Sequence, residues 1–333
     1  MNDALKPGRL RAAAVLGIAL LLAARPLAVQ AQASPGSYPS KPVHFVVAFA
    51  AGGFADTIAR VVGQKLSERL GQPVVVENRG GAGGNIASKF VAGTNPDGYT
   101  ILVNTAAMAI NASLYKDPGF SAIADFAPVV ITASAPEVFV IGASGKANTL
   151  QELVREFKGR RLTYSTAGIG SSSHLAGDYL FRRLAGIDAV HVPYQGGAPA
   201  LTAAVAGQVD VHTTTLPPAL PHIAQGKLKA LALASRTRVA ALPSVPTVSE
   251  TGMGELEAGS WVGFFAPSKT SAEIVGRLNA GINAALAQPD VIERFAKLSV
   301  EPATGSVADF AAQFRRQVEN WAKIVQETGI AAN

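Results

Sequence analysis

Four turns in this sequence have the composition to hold an anion without a charged side chain. They are AGGFAD (residues 51–56), NTAA (104–107), TAGIGSSSH (166–174) and YQGGAP (194–199). In each, an apolar or hydroxyl-rich run gives way to small residues and then to a helix-like pattern. Glycine lets backbone N–H groups come close to another molecule, and a helix start adds unpaired donors and a partial positive charge. None of the four contains Lys or Arg, so an anion there is held by main-chain N–H groups, hydroxyls and helix starts. Taken singly, each turn also fits plain chain reversal. Together, at the carboxyl ends of strands in an open α/β sheet, they fit one ligand cleft.

Individual residues carry the same two readings. Ala51, Gly52 and Gly53 are the barest stretch, and Phe54 at its tip is either a pocket wall or a surface aromatic. Asp56 falls in the first turn of a helix, as a dipole or capping partner or as a ligand contact. Ser171, Ser172 and Ser173 cap the helix that follows or touch a ligand, and His174 faces the cleft or packs. Enzyme signatures fail on inspection. GAGGNI has Ile86, and GIGSSS has Ser173, where a dinucleotide fingerprint needs its third glycine. GASGKAN has Ala147 where a phosphate loop needs Ser or Thr. There is no G-x-S-x-G elbow and no H-E-x-x-H. Five scattered histidines make no metal set, and the absence of cysteine excludes disulfides and cysteine-based zinc or redox sites. No cofactor and no metal is expected. The serine-rich turn with His174 leaves a secreted α/β hydrolase-like enzyme as the alternative.

The elements that position these turns alternate. VHFVVAF (43–49) precedes a helical pattern closed by Gly71, followed by PVVVENR, NIASKFVAG and TILVNT. A second series holds the strands APVVITA and PEVFVIGA, the helix TLQELVREFKG, the strand RLTYSTAG and the helix SSHLAGDYLFRRLAG. AVHVPYQGG, PALTAAVAGQ, VDVHTTT, PPALPHIAQG and LKALALA continue it, with Pro217 and Pro218 placed to start a helix. WVGFFAP and two long amphipathic helices finish the chain. This β-α rhythm predicts an α/β fold with mixed sheets covered by helices. Two units follow: one from 38–130 plus 246–333, made discontinuous by a returning tail, and one from 131–245.

The ends and the charge narrow the function. Lys6, Arg9 and Arg11, the run AAAVLGIALLLAA and the small residues of AQA predict a cleavable signal peptide over 1–33. No other stretch approaches the roughly 20 apolar residues of a membrane span. The formal charge of +6 falls to +3 without that segment, 25 Lys and Arg against 22 Asp and Glu. With no basic block, nucleic acid is not an expected partner. An exported chain without disulfides must be held by its core.

Six stretches, in order, resemble the Bug proteins, the TctC family of solute receptors of tripartite tricarboxylate transporters. They are YPSKPVHFVVAFAAGGFADTIAR, GQPVVVENRGGAGGNIASKFVAGTNPDGYTILVNT, LTYSTAGIGSSSHLAGDYL, VHVPYQGGAPAL, GKLKALALAS and LPSVPTVSETG. The resemblance implies a two-lobed type II periplasmic binding protein, a Venus flytrap with a central cleft, that closes on a small carboxylate and catalyses nothing. It maps the first ligand loop onto residues 50–56 and the second onto 166–174, including Thr166, Gly168, Ser171, Ser172 and His174. Asn104, Thr105, Tyr194, Gly196 and Gly197 are further pocket positions. Implied partners are a small organic carboxylate and the permease subunits of such a transporter, or a membrane sensor kinase. Two positions depart from the family pattern: Ala48, commonly proline, and Phe54, commonly a smaller residue or proline.

Overall fold

The computed structural model describes residues 38–328; the segment read as a signal peptide lies outside them. The first elements are β1 (Val43–Val47), α1 (Phe54–Leu70), β2 (Val74–Asn78), α2 (Asn85–Ala92), β3 (Thr100–Thr105) and α3 (Ala107–Leu114). Then come β4 (Phe126–Gly142), α4 (Leu150–Glu156), β5 (Leu162–Thr166), α5 (Ser172–Asp178), β6 (Ala189–Pro193) and α6 (Gly197–Val205). The chain continues through β7 (Val211–Thr215), α7 (Leu216–Ala224), β8 (Leu228–Ala234), β9 (Gly259–Pro267), α8 (Ala272–Leu286), α9 (Pro289–Lys297), β10 (Glu301–Pro302) and α10 (Val307–Thr328).

β1 reads as a nearly unbroken apolar run because it lies between two parallel partners, Val43 opposite Val74 and Phe45 opposite Ile101. α1 turns Ile58, Val61, Val62 and Leu66 inward and stops where Gly71 adopts φ 65°, its N–H on the Ser67 carbonyl. One sheet runs β2-β1-β3-β9-β4 with β10 on the far side of β4, parallel through β1–β3 and antiparallel beyond. The other holds β4 between β7 and β8, with β5 and β6 continuing parallel from β7.

β4 belongs to both sheets. Phe126 to Pro136 pair with β9, and Glu137 to Gly142 pair with β7 and β8. This corrects the reading of APVVITA and PEVFVIGA as two strands. Pro136, which has no N–H for a ladder, stands at the changeover, and register shifts near Val129 and Thr132 bend the strand toward it.

Each sheet has its own core, which makes the molecule two-lobed. In the first lobe Phe45 meets Phe264 edge-on at 5.0 Å. Phe310 and Phe314 of α10 pack 5.2 and 5.1 Å from Phe265 of the first sheet. In the second lobe Phe181 lies 5.8 Å from Phe139 and 5.5 Å from Tyr164. Two helical readings change in detail. The tail holds three helices, because Pro289 opens a new one after α8. The helix from Ser172 passes into a π turn over Tyr179–Leu184. No helix among the described residues is long and apolar enough to cross a membrane.

Candidate ligand-binding site

Helix starts from both lobes converge on one cavity of about 40 Å³, the space open to a water's centre. From the first lobe comes α1, whose cap residue Gly53 is extended at φ −80° and offers no side chain to the helix donors. From the second come α5, α6 and α7, capped by Ser171, Gly196 and Thr215. Only Ser171 places a side-chain oxygen on a helix donor, accepting from the His174 N–H at 3.2 Å. α7 begins Leu-Pro-Pro and so lacks two donors. The open N–H supply therefore sits on α1 and α6, one helix from each lobe.

The wall is neutral except at one point. Phe49, Gly53, Phe54, Ala55 and Thr105 line it from the first lobe, and Ala167, Ser171, Ser172, Ser173, Gly197, Thr214, Thr215 and Pro218 from the second. Ser260 and Glu137, on β9 and β4, complete it, and no Lys, Arg or His is present. The Ser172 hydroxyl donates to Glu137 Oε1 at 2.6 Å. Burial raises the Glu137 carboxyl to about 7, against the pull of that bond. A wider depression, about 480 Å³, is lined by Lys41, His44, Asp97 and Tyr99 at the amino ends of β1 and β3. It is the wrong end of the sheet for a ligand in an open α/β fold, and no helix start faces it.

Glycine has a second task here. The lobes touch on both flanks of the cavity, through Ala50 N–H to the Gln195 carbonyl at 3.1 Å and the Tyr115 hydroxyl to the Ile169 carbonyl at 3.3 Å. A Cβ on Gly196, at φ 154°, would stand 2.7 Å from the Ala50 nitrogen across that contact, and one on Gly83 would collide with the Ile169 carbonyl oxygen. Gly53 differs: its φ suits any residue, and an added Cβ would find Ala50 O at 3.4 Å.

The residues singled out from sequence fall into two groups. Gly53, Phe54, Thr105, Ser171, Ser172 and Gly197 line the cavity. The others stand behind or beside it. Ala51 and Gly52 are exposed at the turn. Asp56 is buried and braces that turn, accepting from Gly52 N–H at 2.8 Å, Arg60 Nε at 3.0 Å and Asn78 Nδ2 at 3.0 Å. Burial pushes its carboxyl up, and these donors outweigh that and hold it below the ordinary carboxylate range. Asn104 donates to Ser88 Oγ and accepts from Thr105 N–H. Thr166 is tied to His191 Nε2 at 2.6 Å and accepts from the Gly168 N–H. Tyr194 is half-buried, its N–H on the Thr166 carbonyl. Gly196 caps α6.

His174 accepts from the Gly170 N–H at 3.3 Å and stacks on His191 at 4.1 Å between centroids. Burial lowers both rings, His191 to about 3 with His174 and Arg182 adding to the effect. Neither is in the cavity wall; of the serines that are, Ser172 donates to the Glu137 carboxyl, Ser171 to the Gly168 carbonyl, and Ser173 pairs with Ser171. The described residues therefore pair no cavity serine with a histidine base.

Residues 58–330 match the family described as the tripartite tricarboxylate transporter family receptor, TctC. The chain belongs to this family. It is a family of receptors, not of enzymes. A UPF0065 protein from the tcbD-tcbE intergenic region of Pseudomonas sp. strain P51 is 38% identical over 301 residues, 89% of each chain. The solved periplasmic binding protein BugD is 35% identical with a TM-score of 0.85, over 89% of this chain and all of its own. Rpa4515 of R. palustris, solved with adipate, is 32% identical with a TM-score of 0.84, over 88% of this chain and 99% of its own. The receptor thus has the two-lobed α/β fold of the periplasmic binding proteins and is a solute-binding protein.

Glu137, Thr214, Thr215 and Ser260 of the receptor's cavity wall escaped the sequence reading. The signal for Glu137 was an acid directly after proline at the head of VFVIG, an apolar run with no other charge. Its partner Ser172 is 35 positions away, so only the fold joins them.

Proposed function

We propose that this receptor captures a small carboxylate-bearing solute between its lobes, outside the cytoplasmic membrane, and delivers it to the permease subunits of a tripartite tricarboxylate-type transporter. One observation carries the reading: α1 and α6, from opposite lobes, present first-turn N–H groups without side-chain caps to a cavity that has no basic residue. Each such helix end stabilises an anion by about 0.3–1 kcal/mol, or up to about 2 kcal/mol when partly buried. Both ends reach one molecule only while the lobes are together, so the solute favours the closed form. The adipate of Rpa4515 is a carboxylate, which supports the same class of solute here.

In this reading Gly53, Phe54, Thr105, Ser171, Ser172 and Gly197 contact the solute. Ala51, Gly52, Asp56, Asn104, Thr166, Gly168, His174, Tyr194 and Gly196 shape the loops that hold them. In this reading the lobes are 38–136 with 259–328, and 137–258, the chain crossing where β4 changes sheet and where β9 begins, and residues 1–33 direct export and are removed. The test is titration calorimetry of purified protein with a carboxylate panel, followed by mass spectrometry of the recovered acids. Saturable binding with every acid returned unchanged is the expected result. Turnover of any of them, or no binding across the panel, contradicts it.

A further inference from the structure

Glu137 is the one ionisable side chain in the cavity wall, and it has an unused oxygen. It is fully buried at the first position where β4 pairs with the second sheet, opposite Thr215 of β7 and Ala234 of β8. Pro136 before it still pairs with Gly259 of the first sheet, so the carboxyl stands where the chain crosses between lobes. Oε1 accepts from Ser172; Oε2 has no hydrogen-bond partner among the described residues. An ionised carboxyl is acceptor-only, and a buried acceptor left unpaired carries its full desolvation cost. Glu137 lines the cavity, so a solute held there is within the reach of this carboxyl.

The rest of the wall indicates what that group is. With no Lys, Arg or His beside the cavity, a dicarboxylate would bring two negative charges next to this acid, with helix starts and hydroxyls alone to offset them. A solute with one carboxylate at the α1 and α6 starts and an ammonium at its other end removes that conflict and supplies the missing donor. We propose that Glu137 is a specificity-determining residue that accepts a charge-assisted hydrogen bond from the solute and selects amino-substituted carboxylates over dicarboxylates. This deepens the carboxylate reading and rests on it.

Ionisation strengthens the bond. Burial sets the Glu137 carboxyl at about 7, with the Ser172 bond acting the other way and no neighbouring charge contributing. The elements around it bring Ser172 from α5, Thr215 from β7, Ala234 from β8, Ser260 from β9 and Phe54 from α1, none of which titrates near neutral pH. The preference for an ammonium therefore grows as pH rises from about 6 to about 8.

The test is calorimetry with three matched pairs: β-alanine against succinate, 4-aminobutyrate against glutarate, and 5-aminovalerate against adipate. In the best-binding pair the amino member binds about tenfold tighter or more near pH 8. Glu137→Gln reduces that preference to within about threefold, because the amino member loses its charged acceptor. A wild type that binds the dicarboxylate equally or more tightly overturns the proposal, as does a preference unchanged in Glu137→Gln. Should that variant fail to fold, the wild type decides: a preference that does not grow between the two pH values overturns it. Silence from all six acids counts against the carboxylate reading itself, whereas binding without preference counts against the role of Glu137 alone.

Discussion

On the first-lobe side of the cleft, α1 rises from glycine and alanine and meets the cavity with main-chain donors and the Phe54 ring. On the second-lobe side the wall is hydroxyls, Ser171, Ser172, Ser173, Thr214 and Thr215, with the Glu137 carboxyl at the crossing strand. The supports differ as well. The first face is braced by an ionised network, Asp56 with Arg60 and Asn78; the second by neutral groups, a hydroxyl chain and two histidines held uncharged by burial. Main-chain donors recognise a carboxylate whatever it is attached to. Hydroxyls and an acid respond to the rest of the molecule. In the proposed reading both lobes share capture, through the α1 and α6 starts, and the second lobe adds the hydroxyls and the acid that discriminate.

The Asp56 network and the Glu137 carboxyl respond to pH in opposite directions, and the largest expected effect exploits this. Glu137 carries a carboxyl raised by burial to about 7 from an ordinary 4.5. Between those values the folded protein keeps a proton that the unfolded chain has lost, so its contribution to stability falls as pH rises and levels off above about 7. Glu137→Gln removes that slope. In ligand-free protein near pH 8 the variant should exceed the wild type by on the order of 3 kcal/mol in chemical unfolding, with the gap closing toward pH 4. A constant gap would mean the acid is ionised throughout.

Gly83→Ala tests whether the lobes must touch. Its Cβ collides with the Ile169 carbonyl across the cleft, so closure is hindered and affinity for the best carboxylate should fall by about tenfold or more. The left-handed φ of 61° adds a local cost of about 1–2 kcal/mol that unfolding curves report separately. Undiminished affinity would detach binding from lobe contact.

Asp56→Asn should lower stability by about 1–3 kcal/mol at neutral pH, since Gly52 and Arg60 lose an ionised acceptor. The folded carboxyl titrates below its ordinary value, so the wild type's advantage is complete above the ordinary range and is lost as pH falls through the folded value. Thermal unfolding of both proteins from neutral to acidic pH should show the difference shrinking. Gly53→Ala is the mildest change. With φ −80° and 3.4 Å to the nearest backbone oxygen, it should weaken binding only a few-fold by calorimetry and leave the fold intact.

The sequence made the glycine turns readable because strand, small residues and helix start are adjacent in the chain. The same locality hid what glycine does at Gly83, whose neighbour Ile169 comes from the other lobe. β4 read as two strands because proline marks a break in any local reading, yet Pro136 marks a change of sheet. The two apolar positions Phe310 and Phe314 gave no local sign of their seat, because their packing on Phe265 is a long-range contact. Beyond a lone charge after Pro136, nothing near Glu137 in the chain marks it as a wall residue, since its burial follows from β7, β8 and α5 closing round it.

The most direct test of capture between the lobes is a crystal structure with the tightest carboxylate from the panel. Its carboxylate oxygens should lie within hydrogen-bond reach of first-turn N–H groups of both α1 and α6, with the Ala50–Gln195 contact closed beside it. A carboxylate held by one lobe alone, or seated in the depression lined by Lys41, Asp97 and Tyr99, would contradict it.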